Sequence, residues 1–154
     1  MKKRIVGIAA ALMITEAAML GGTCAASITQ DNIDVDMPIS AVNLNRINTI
    51  DDGYMTVVQF EHMVYARERT GDTKILEVDY KGYGHTVNGI SVGSKFDADK
   101  VQNAKLVANW RHGAFVYYTY VLPDNSLVRF NTIADLETVE SITRISKTLN
   151  DMIE

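Results

Sequence analysis

Cysteine is almost absent from this chain of 154 residues: the one thiol, Cys24, lies near the N-terminus and has no partner for an internal disulfide. The domain must therefore hold itself together through its core. Histidine is scarce as well. His62, His85 and His112 are the whole set, and none has a second histidine or a cysteine at zinc spacing. No Gly-x-Ser-x-Gly elbow accompanies any serine, and Val92-Gly93-Ser94-Lys95 lacks the two-glycine spacing of a phosphate loop. These absences argue against catalysis, and neither a metal nor a cofactor is expected.

Positive charge is thin and unevenly placed. Three of the 15 basic residues, Lys2, Lys3 and Arg4, stand together before the charge-free apolar run Ile5 to Thr15. A small-residue patch, Gly21-Gly22-Thr23-Cys24-Ala25-Ala26, closes the segment. That order is a bacterial-type export signal, cleaved near Ala25 or Ala26. A membrane span fits less well: it needs about 20 apolar residues, and Glu16 interrupts this run. Lipid attachment at Cys24 is the alternative. Such signals resemble an aliphatic residue three places before the cysteine, but Gly21 stands there and Leu20 is one place too far back.

Cleavage removes three basic residues and Glu16, which takes 15 and 19 charges to 12 positive and 18 negative, a net of −6. No Lys/Arg cluster survives, so nucleic acid is excluded as a partner on charge. About 128 residues remain, enough for one core. The expected division is a signal at 1–26, a polar extended arm at 27–50 and a small α+β domain at 51–154. The location is periplasmic or secreted, with no integral span after cleavage.

Aromatic residues are missing before Tyr54 and after Phe130. The arm is polar, with scattered Ile33, Val35, Ile39, Val42 and Leu44, and Ile39 to Leu44 is expected to pair at a sheet edge. Asp31, Asp34 and Asp36 lack the glycine and spacing of a calcium loop, so they read as solvated. From Tyr54 to Arg67, alternation puts Val58, Phe60, His62, Val64 and Ala66 on one face. Tyr54, Val57, Val58, Val64 and Tyr65 also suit a helix ending at Gly71. In the strand reading His62 packs in the core, whereas His85 and His112 adjoin turn glycines and are exposed.

Leu76, Val78 and Tyr80 alternate with Glu77, Asp79 and Lys81, and Asn88-Gly89 signals a hairpin because both residues accept positive φ. Asp97 to Gln102 reads as a short helical turn or loop. Leu106–Trp110, Ala114–Leu122 and Leu127–Phe130 read as successive strands, the last two joined by a turn at Pro123. Leu136, Val139, Ile142, Ile145, Leu149 and Met152 recur every three or four residues, which predicts a five-turn amphipathic helix capped by Asp135. The expected fold is α+β: an antiparallel meander of five or six strands, either an open sheet or one curved into a half-open barrel, with that helix on its apolar face.

Tyrosine is the one suggestive enrichment. Tyr118 and Tyr120 share one strand face and Tyr117 the other, with Trp110 at a neighbouring strand end. Core filling explains such residues in a sheet, while tyrosine also suits binding surfaces. Trp110, Phe115 and Tyr117 are the candidate outward patch. The favoured function is a non-catalytic exported module that binds an envelope or extracellular protein or peptide. The alternative is a small hydrolase or ligand-sequestering domain using a cavity between sheet and helix.

Overall fold

Burial alternates with a period of two along residues 55–60, 64–67 and 127–133. The structure is a computed structural model that describes residues 33–153. The export signal expected at 1–26 lies outside the described residues. The first four strands, β1 Arg46–Asp51, β2 Met55–Phe60, β3 Val64–Arg69 and β4 Glu77–Tyr80, form one antiparallel meander. A small hairpin, β5 Thr86–Val87 with β6 Ile90–Ser91, follows, and Asn88 and Gly89 at its turn both have positive φ. A second meander comprises β7 Lys105–His112, β8 Phe115–Val121, β9 Leu127–Ile133 and β10 Thr138–Ile145. β10 pairs β4, which joins the meanders into one eight-stranded sheet in the order β1-β2-β3-β4-β10-β9-β8-β7. The sheet is larger than the five or six strands expected, and it is open, with free edges at β1 and β7. Both edges carry a register shift, at Arg46/Asn48 and Leu106/Ala108. Such bulges discourage edge-to-edge pairing.

The five-turn helix does not exist. Residues 138–145 form β10, and the only α-helix among the described residues is α1, Lys147–Ile153. A bulge explains the misleading period. The register shifts between Val139 and Ser141, so Glu140 is the extra residue. Val139 and Ile142, three apart, then both reach the core, each fully buried. Leu136 and Met152, read as part of the same stripe, are exposed.

What covers the sheet instead is irregular chain. Residues 33–44 and the excursion 81–104 lie over the apolar face. Ile33, Val35, Val87, Ile90 and Val92 join Val58, Phe60, Tyr80, Phe130 and Ile142 in one buried cluster. The 33–44 segment is thus partly core rather than a solvated arm, and Tyr80 Oη donates to the Ile33 carbonyl. The edge strand falls at Arg46–Asp51 and not at the expected Ile39 to Leu44, where Ile39–Ala41 is a 3-10 turn. The excursion is tied down by Gly93 N–H to Val139 O (2.7 Å) and Phe96 N–H to Glu137 O (2.8 Å).

The histidines exchange places relative to expectation. β2 and β3 are two strands rather than one, and the chain reverses at Glu61–Met63, where His62 has φ 59° and is exposed. Parity survives the turn, so Val58, Phe60, Val64 and Ala66 are all buried as expected. His85 is the buried histidine, with its Nε2 2.9 Å from the His62 carbonyl. Gly82 permits that approach, since a Cβ there would sit 2.2 Å from His62 O.

The β1 edge is held by exposed carboxylates. Glu61 accepts from Asn45 N–H (3.1 Å) and Nδ2 (2.9 Å), and Asp52 accepts from the N–H groups of Tyr54 and Met55. Backbone hydrogen bonds, first among the causes, hold Glu61, Asp51 and Asp52 below the usual carboxylate range. A lowered folded pKa contributes stability above the unfolded value that is lost as pH falls through the folded one. Below about pH 4, amide exchange at Asn45, Tyr54 and Met55 is expected to rise before that of the core strands. Hydrogen-exchange NMR across an acid series checks this; simultaneous loss everywhere would remove these carboxylates as local clamps.

Candidate groove on the open sheet face

The face of the sheet turned away from the core carries the residues between the buried ones. On β9, Val128 and Phe130 point inward, so Arg129 and Asn131 point outward. With Asp79 on β4, Ser141 on β10 and Phe115 and Tyr117 on β8, they line a groove of about 610 Å³. Met63, Lys81 and Tyr83 from the turns also contribute to its lining. No residue of α1 lines it.

The three sequence-selected aromatics come together here. Phe115 and Tyr117 line the groove, and Trp110, the cross-strand partner of Tyr117, stacks on it at 4.1 Å and 11°. Trp110 is 48% exposed, so this stack faces solvent rather than packing into the interior. The other two tyrosines of β8 turn the opposite way. Tyr118 stacks on Phe96 at 4.4 Å, and Tyr120 is buried against Phe130. The tyrosine enrichment therefore divides between core and open face, as strand parity requires.

The groove floor is polar and largely self-satisfied. Arg67 donates to Glu77 and, at 3.1 Å, to Asp79 Oδ2, while Thr143 Oγ1 donates to Asp79 Oδ1 at 2.6 Å. Thr143 is fully buried, so its hydroxyl fixes the carboxylate and is no accessible nucleophile. Asn131 Nδ2 donates to Ser141 Oγ at 2.6 Å. Lys81 Nζ lies 5.1 Å from the Tyr65 ring centroid, within cation–π range.

Two atoms are left over. Arg129 Nε and Asn131 Oδ1 are buried and have no hydrogen-bond partner among the described residues. Neither was singled out from sequence, although the β9 alternation places both on this face. No three His, Asp or Glu side chains among the described residues are arranged to hold a metal ion. The Val92–Lys95 segment uses its Gly93 and Ser94 N–H groups on Val139 O and Ser91 O, leaving neither free to cradle a phosphate. No helix of the described residues is long and apolar enough to cross a membrane. Comparison with family models, curated proteins and solved structures finds no match.

Proposed function

We propose that the protein is an exported, non-catalytic binding module that recognises an envelope or extracellular protein or peptide through the groove and its aromatic flank. The observation that carries this reading is the Trp110–Tyr117 stack, a flat ring pair left in solvent beside Phe115 and the groove. Aromatic rings offer a partner large contact area at low entropic cost. A few such anchors supply most of an interface's energy, and truncating one costs about 2 kcal/mol or more at a hot spot. Export rests on the basic-apolar-small order of residues 2–26.

Tyr117→Ala tests the reading. The ring lies on the open face, outside the core cluster, so the variant is expected to melt within a few degrees of wild type. It is also expected to lose, by roughly 30-fold, the affinity for the species that wild type crosslinks in native envelope fractions. If Tyr117→Ala unfolds the domain, the ring is structural and the patch reading fails. A wild type that crosslinks to nothing specific also rejects it.

A further inference from the structure

Arg129 stands apart from the other arginines that the sheet encloses. Arg67 is engaged by Glu77 and Asp79, and Arg144 by Asp34. The Arg129 side chain has no ion pair or hydrogen bond among the described residues, and its Nε is buried at the groove. Buried donors without acceptors are rare in native proteins, and each such atom asks for an explanation. Two positions along the same strand and on the same face, Asn131 Oδ1 is a buried acceptor without a donor, its amide nitrogen being committed to Ser141. Along a strand, two positions span roughly 7 Å. A donor for an anion therefore stands next to an acceptor for an N–H at the repeat of an extended peptide. Phe115, Tyr117 and Ile133 supply an apolar wall on the same side.

We propose that the groove takes the C-terminal end of an extended peptide. The terminal carboxylate docks on Arg129, a backbone N–H on Asn131 Oδ1, and an apolar last side chain against Phe115 and Tyr117. This rests on the groove reading above and names what the groove reads. Arginine suits the role because its planar donors match a carboxylate better than an ammonium does. The formal net charge of −4 opposes polyanions, which favours a ligand bearing one carboxylate over an acidic polymer.

The test uses three probes: N-acetyl-glycyl-phenylalanine, its C-terminal amide, and N-acetyl-aspartyl-phenylalanine amide, whose carboxylate is on a side chain. Binding is followed by amide chemical-shift titration, with emission from Trp110, the only tryptophan, as a second readout. The free acid is expected to bind at least tenfold more tightly than either amide. Arg129→Gln should make acid and amide equal, and Arg129→Lys should recover only part of the difference. Tyr117→Ala should weaken acid and amide alike while keeping their ratio. Equal binding of acid and amide by wild type, or no saturable shift with the acid, overturns the carboxylate assignment. An aspartyl amide that matches the acid overturns the C-terminal assignment. Arg129-dependent binding that ignores Tyr117→Ala retains the carboxylate site and rejects the aromatic reading, so the two failures are distinguishable.

Discussion

Ile142→Asp is expected to leave the chain unfolded. Ile142 lies in β10, the strand that joins the two meanders, directly between Tyr80 of β4 and Phe130 of β9. All three side chains have no exposed surface. A carboxylate placed there has no cation beside it in that row and no water, the situation in which an ionised group is most expensive. A loss of at least about 4 kcal/mol approaches the whole stability of a small domain. Glu140→Lys, two residues away, falls on the exposed bulge position and should change stability by less than about 0.5 kcal/mol. Circular dichroism and urea titration of both variants check the contrast. Comparable midpoints would mean that β10 does not bind the two halves of the sheet together. The same geometry makes removal of residues 135–154 equally damaging, because it deletes a central strand and not a covering helix.

That difference between strand and helix marks where sequence reasoning stops. Alternation alone located the buried residues of β2, β3 and β4 and separated the two faces of β8, and Asn88-Gly89 located the small hairpin. It failed at β10 because one bulged residue turns a period of two into a spacing of three, which imitates a helix. The density of β-branched residues there, Thr138, Val139, Ile142, Thr143 and Ile145, is the signal that argued for strand. The second layer was illegible for a different reason. Residues 33–44 and 81–104 bury Ile33, Val35, His85 and Ile90 without regular period, so no pattern marks them as core. His62 was misplaced because the alternation passes through a tight turn without losing parity. The division of the β8 tyrosines was legible, since strand parity separates Tyr117 from Tyr118 and Tyr120. Arg129 and Asn131 lay within reach of the same argument, but nothing in the sequence reveals that their polar atoms lack partners.

The buried ion pair at the N-terminal segment yields the second large effect, and its two partners are expected to behave unequally. Arg144 projects from β10 onto the core face and is 1% exposed. Its Nε donates to Asp34 Oδ1 at 3.1 Å, and its Nη1 donates to Ser126 Oγ and the Leu127 carbonyl. Asp34 keeps 28% of its side chain in solvent. Asp34→Ala leaves a guanidinium that cannot deprotonate and cannot reach water, so a loss of about 3 kcal/mol is expected. Arg144→Met puts an apolar chain of similar length beside Val78 and Val128, its buried cross-strand neighbours. The carboxylate it abandons can hydrate or take up a proton, so the loss should be roughly half as large. Acidity separates the two further. Burial, the largest cause, raises the Asp34 pKa, and the Arg144 charge opposes that rise. A carboxyl with a raised folded pKa contributes stability that is present below the unfolded value and lost as pH rises through the folded one. Without Arg144 the rise is larger, so Arg144→Met should recover part of its deficit between neutral pH and about pH 5, whereas Asp34→Ala should recover none from this group. Denaturant midpoints of both variants at the two pH values decide the matter. An Arg144→Met variant less stable than Asp34→Ala at both would show that the guanidinium's bonds to Ser126 and Leu127, and not the ion pair, anchor this corner of the core.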